Sequence, residues 1–178
     1  MAGFPPDPAR TAVTSQDGVK AALPAVRAGL RAMGLRLTVP VRVRLVGPDE
    51  MASMTGSHAG RVLGWTIVTD TEVVDLAVLA GLDGPEFGAV VAHEYMHAWM
   101  TQRRFGRVSL PIAEGLSQLA ADGWLERQSD PRARTLRAAI AADPDPVYGD
   151  GFRRVRAAVK RHGLMPVLRT VRSRGALP

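Results

Sequence analysis

Residues 90–100 read Val90-Val91-Ala92-His93-Glu94-Tyr95-Met96-His97-Ala98-Trp99-Met100, an apolar run broken by two histidines and a glutamate. On a helix, positions four apart share a face, so His93 and His97 can present both imidazoles to one metal ion. Glu94 is turned about 100° from His93, which keeps it off the metal and beside a metal-bound water. Two of the four histidines in the chain fall within these five positions. The apolar flanks predict an embedded helix in which polar side chains are exceptions. The plainer reading is a pair of partly buried histidines bonded to backbone carbonyls.

The chain has no cysteine. Disulfides, thiolate metal sites and a cysteine nucleophile are therefore excluded, and any metal must be held by His and carboxylate. A catalytic zinc site needs a third protein ligand and an open position. A third histidine in the metzincin manner would put Gly and His at positions 100 and 103, which hold Met100 and Arg103. The remaining route is a carboxylate on the next helix. Glu114, in the first turn of a helix opening at Pro111, would be brought back to the motif by the short connection Phe105–Leu110. Gly115 removes a side chain where the helices must approach, and Glu126 is the other carboxylate available. Glu114 could also serve only to complement a helix N-terminus. Gln118 and Asp122 follow Glu114 at four-residue steps, placing them where a group could orient a liganding histidine.

With 178 residues, 46% hydrophobic and 22% charged, the chain reads as one soluble globular domain. No apolar run reaches the length of a membrane span. The opening Met-Ala-Gly-Phe-Pro-Pro-Asp-Pro lacks the basic head of a secretory signal, so a cytoplasmic location is expected. Residues 1–16 read as a flexible lead and 17–178 as the single domain. Helical spacing runs from Asp17 to Met33, ending at Gly34. Leu35–Val46 alternates as a half-buried strand, with Pro40 suggesting an edge or bulge. Gly47–Gly60 reads as a polar connection. Val62–Thr69 and Glu72–Leu79 read as a hairpin turning at Asp70-Thr71. Helices are predicted at Pro85–Arg104 and Pro111–Arg127, after Asp130-Pro131, at Asp150–His162 and at Met165–Arg174. Strands gathered in the first half and helices in the second define an α+β domain.

The net charge is +6. Residues 1–126 carry 11 basic and 13 acidic side chains, whereas residues 127–178 carry 12 basic and 4 acidic. This Arg-rich third reads either as a solvated helix face or as a docking surface for an acidic partner. No stacking aromatics are interleaved with the charges, which disfavours nucleic acid.

His93-Glu-Tyr-Met-His-Ala-Trp99, then Glu114-Gly115 and Trp124-Leu-Glu126, resembles the peptidase domain of the plant DA-one family. Those are growth-restricting, ubiquitin-activated metallopeptidases with an added zinc-binding LIM module. The resemblance extends to Pro146-Val-Tyr148-Gly-Asp150-Gly-Phe152-Arg153, to the ending Gly175-Ala-Leu-Pro178, and to the opening Ala28-Gly-Leu-Arg-Ala-Met33 helix with its following strand. It implies a zincin-like fold of the gluzincin type, with a small twisted sheet packed on the motif helix and the Glu ligand on the following helix. Without cysteine a LIM module is not expected, and no ubiquitin-interacting helix is seen, so activation by ubiquitin is not carried over.

The expected activity is that of a zinc-dependent peptidase acting on peptides or proteins, with one Zn2+ per chain held by His93, His97 and Glu114. Glu94 would act as general base and then acid toward a metal-activated water. Tyr148, one of two tyrosines and part of the family-like Tyr-Gly-Asp-Gly turn, is the candidate oxyanion stabiliser, with His162 as runner-up. By resemblance, Gly64-Trp65-Thr66-Ile67-Val68 would be a strand edge that pairs with substrate, although Trp65 reads equally well as core. Two other classes compete: a catalytically silent zincin-fold binding module, and a basic nucleic-acid-binding protein.

Overall fold

The computed structural model describes residues 12–56, 62–69 and 72–178. Their centre is a 19-residue helix that is apolar from Phe87 to Met100 except at His93, Glu94 and His97, and every residue of that stretch but His97 is buried. This helix, α3 (Gly84–Gln102), starts where Asp83 caps it by accepting from the Glu86 N–H at 2.9 Å, with Pro85 in the first turn.

On one side of α3 lies a three-stranded sheet of β2 (Arg42–Val46), β4 (Val73–Leu79) and β3 (Gly64–Val68), in the order β2-β4-β3. β2 runs parallel to β4, and β3 runs antiparallel on its other side. The expected hairpin is present as strand pairing, while its turn at Asp70-Thr71 lies outside the described residues. On the other side lies α4 (Leu110–Glu126), itself covered by α6 (Gly149–His162) and α5 (Pro131–Ala142). Helices α1 (Gln16–Ala32) and α7 (Leu164–Arg174) complete the shell. Two close approaches seat Trp124 of α4. A Cβ at Gly88 of α3 would lie 2.0 Å from its ring, and one at Gly29 of α1 would lie 2.8 Å away.

Four features differ from the sequence reading. Ala12 and Val13, expected in a flexible lead, form β1 and pair antiparallel with β5 (Leu82–Asp83); residues 1–11 lie outside the described residues. The strand expected over Leu35–Val46 is confined to Arg42–Val46. Upstream of Pro40, which lacks a donor, the backbone is clamped to the end of α3. Gln102 accepts from the Thr38 and Val39 N–H groups and donates to the Val39 carbonyl. The expected polar connection holds helix α2 (Pro48–Thr55), with Pro in its first turn and a left-handed Gly56 as its stop. Finally, Gly115 faces α6: a Cβ there would lie 2.4 Å from the Gly151 carbonyl oxygen.

Among the described residues, no helix is long and apolar enough to cross a membrane.

Candidate metal centre

The i, i+4 pair on α3 meets Glu114 of α4, although α4 opens at Leu110 and so carries Glu114 just past its first turn. The Nε2 atoms of His93 and His97 stand 3.2 Å apart. The Glu114 carboxylate reaches both rings, with Oε2 at 3.0 Å from His93 and Oε1 at 3.4 Å from His97. One ligand atom from each of the three residues falls within 4.8 Å of the others. His93 and Glu114 are buried and His97 is half-buried.

Protein contacts alone leave this arrangement incomplete. Both Nε2 atoms and the Glu114 carboxylate face one small space, and the His93 Nδ1 on the other side of its ring is buried with no hydrogen-bond partner. Two imidazoles and one carboxylate are the donor set of a borderline divalent ion such as zinc. These three residues can hold a metal ion.

Burial alone would raise the Glu114 pKa, but hydrogen bonds and charge from His93 and His97 outweigh it and hold the carboxyl far below its usual range. Burial alone would lower the His97 pKa, but Glu114 and the nearby Glu94 carboxylate outweigh it and raise it.

Glu94, one position after His93, lies outside the cluster and is held by β3. The Thr66 hydroxyl lies 2.8 Å from its Oε2 and 3.0 Å from its backbone carbonyl, both of them acceptors. Gly64 makes room for it, since a Cβ there would lie 2.7 Å from Glu94 Cγ. The Thr66 side chain is committed to Glu94, which leaves the backbone of Gly64 and Thr66, the part expected to pair with substrate, for other contacts. Leu79 N–H donates to the Leu63 carbonyl, and antiparallel alternation then turns the N–H and C=O groups of Gly64 and Thr66 toward the open edge of the sheet. Trp65, 43% exposed, lines the cleft and is not core.

Tyr148 stands at the start of α6 with its ring centroid 6.3 Å from that of His93. Burial first, then the charges of Glu114 and Glu94, push its hydroxyl up to about 12. His93, Glu94, His97, Glu114, Tyr148, Gly64, Trp65 and Thr66 all border one cleft of about 580 Å³.

Other candidates fall away from it. Asp122 is buried but bonded to Arg137 of α5 at 2.8 Å, so it does not orient a histidine. A partner 15 residues away on another helix left no spacing signal. Glu126, the alternative ligand, is 59% exposed in its side chain and pairs with the same arginine. Gln118 is fully buried, yet its Oε1 has no partner and reaches neither imidazole. His162 is exposed at the far end of α6 and does not border the cleft. Part of the basic C-terminal third is likewise engaged internally. Arg132 pairs with Asp83, Arg137 with Asp122 and Glu126, and Arg153 with Asp150 and the Ala141 and Asp143 carbonyls.

Fold and site together define an α+β protein with a preassembled His-His-Glu group able to bind metal and a second glutamate beside it. The DA1-like family model (Protein DA1) matches residues 31–139 and 133–174, and the chain belongs to this family. It is 31% identical over 153 residues to Protein DA1 of Arabidopsis thaliana, covering 70% of this chain and 29% of that protein. Protein DA1-related 2 of Arabidopsis thaliana is 30% identical over 141 residues, covering 60% of this chain and 27% of that protein. The LIM domain-containing protein HDR3 of Oryza sativa subsp. japonica is 29% identical over 143 residues, covering 60% and 28%. The chain thus spans under a third of the length of these relatives. No solved structure matches it.

Proposed function

We propose that this chain is a zinc-dependent peptidase of gluzincin type that cleaves internal peptide bonds. The observation that carries the reading is the convergence of His93, His97 and Glu114 at the wall of an open cleft, with Glu94 beside them and not among them. When bound by these three residues, zinc supplies a Lewis acid that polarises the scissile carbonyl and acidifies water at neutral pH.

The remaining work falls to the chain's own side chains. Glu94 takes the proton of the attacking water and delivers it to the leaving amine, acting as base and then as acid. Thr66 fixes the plane of that carboxylate through Oε2. Tyr148 keeps its proton throughout the physiological range in the metal-free chain, where burial and then the charges of Glu114 and Glu94 push its hydroxyl up to about 12. It therefore serves as a neutral donor to the oxyanion that develops on the substrate carbonyl. The outward backbone groups of Gly64 and Thr66 pair with an extended peptide as an added strand.

The test is a comparison of wild type with Glu94→Gln, both loaded with zinc, on a peptide library and on labelled casein. The variant is expected to retain about one zinc per chain and to lose roughly 100- to 10,000-fold in turnover. Full activity in Glu94→Gln would overturn the mechanism. A zinc-loaded wild type that cuts nothing would leave a silent binding module.

A further inference from the structure

The cleft has two chemically distinct ends. One is the titratable cluster. The other lies where α3 and α4 part and the loop at residues 103–109 joins them.

The helical period carries the ligand faces directly into this second end. On α3, His93 and His97 are followed on the same face by Met100 and Thr101. On α4, Glu114 is preceded one turn earlier by Leu110, with Ala113 beside it. Phe105 and Val108 of the loop close the space, and all six residues border the cleft. The arginines of the same loop face out: Arg103, Arg104 and Arg107 are exposed and none borders the cleft. Arg103 lies over the outer Trp99 ring, 5.7 Å from its centroid. This end therefore has no charged lining. Leu110, 61% exposed, offers its apolar surface beside the cleft. One helical turn is about 5.4 Å, so an occupant here sits next to the metal ligands His97 and Glu114.

We propose that this apolar end is a specificity pocket. It receives a large aliphatic or aromatic side chain from the residue adjoining the scissile bond on the side of the α3–α4 loop. The proposal rests on the peptidase reading for the word scissile. The pocket itself is testable without turnover.

The experiment uses the full chain as the zinc-loaded Glu94→Gln variant. The probes are acetylated, amidated hexapeptides with a fluorescent reporter, all alanine except for one Leu, Phe or Asp, with an all-alanine control. Anisotropy is expected to show the Leu and Phe peptides binding about tenfold more tightly than the Asp and all-alanine peptides. Adding Leu110→Asp should abolish that ratio while zinc stoichiometry stays at one. Because Leu110 is exposed, the change leaves the core intact, and Val108→Asp gives a second, independent measure. Equal binding of all four peptides overturns the pocket, as does an apolar preference that survives both substitutions. Separately, a wild type that binds with the expected preference but cuts no peptide overturns the peptidase reading and leaves the pocket standing.

Discussion

Thr66 has one hydroxyl proton, and both oxygens within its reach belong to Glu94. A hydrogen bond to a charged group contributes about 1.5–3 kcal/mol. Thr66→Val keeps the shape and removes the donor, so kcat should fall about tenfold or more while KM and zinc content hold. Thr66→Ser should restore most of the loss; a fully active valine variant would remove Thr66 from the mechanism. At the metal ligands, Glu114→Ala should weaken zinc binding by more than about 100-fold, beyond the effect of an outer-shell change. Unchanged zinc content by metal analysis would move the third ligand elsewhere. Protons compete for the same atoms, because ligation needs neutral imidazoles and an ionised carboxylate. Glu114 is held below its ordinary range, so its contribution to the metal-free fold is present above that range and is lost only in strong acid. His97 is held above its ordinary value, so its contribution is complete below about pH 6.5 and is lost as pH rises through the raised value. Zinc must displace the proton that metal-free His97 retains. The Tm gain on adding saturating zinc should therefore grow from about pH 6 to about pH 8, and a pH-independent gain would separate His97 from the metal.

Where α4 crosses α6, backbone meets backbone. A Cβ at Gly115 would lie 2.4 Å from the Gly151 oxygen, and one at Gly151 would lie 2.2 Å from the Pro111 oxygen. Glu114 lies between Pro111 and Gly115 at this crossing and the start of α6 carries Tyr148, so the crossing sets the distance between the proposed third ligand and the proposed hydroxyl donor. Gly151→Ala should cost about 1–3 kcal/mol by overpacking, read from denaturant unfolding. It should also reduce turnover, since the strained contact lies between the start of α6 and the part of α4 that carries Glu114. The glycine at position 115 was visible in the sequence, but its partner was not, because Gly151 comes from α6, two elements later in the chain. The motif helix itself was readable, since its apolar positions and i, i+4 histidines are local signals. Helix α2 also left local signals, in Pro48, Asp49, Glu50 and Gly56, which the surrounding polar residues masked. The alternation of Leu35–Val39 looked like strand, yet Gln102, some 60 residues later in the chain, satisfies that backbone. The parallel β2–β4 pairing has no sequence signature of its own.

Asp83 ties four parts of the chain together. Its backbone pairs with Ala12 in the β1–β5 ribbon, and its side chain caps α3 through the Glu86 N–H. Its Oδ2 also accepts from Arg132 Nε of α5 at 3.0 Å. Glu86 lies near the same guanidinium, with Nη2 to Oε2 at 3.8 Å, and both carboxylates are 2% exposed. The pair anchors the N-terminal end of the helix that carries His93 at its middle and His97 in its second half. Removing the cation would leave two buried carboxylates facing each other, a change that typically costs about 3–5 kcal/mol. Arg132→Met should therefore lower the free energy of unfolding by about that amount. Because the substitution lies far along α3 from the ligands, zinc stoichiometry should stay at one well below the new Tm. Denaturant unfolding and metal analysis on the same preparation check both halves. If Arg132→Met unfolds like wild type, the buried pair is not what holds the N-terminal end of α3. If it keeps its fold but loses zinc, this end of the helix is coupled to the metal centre more tightly than packing alone requires.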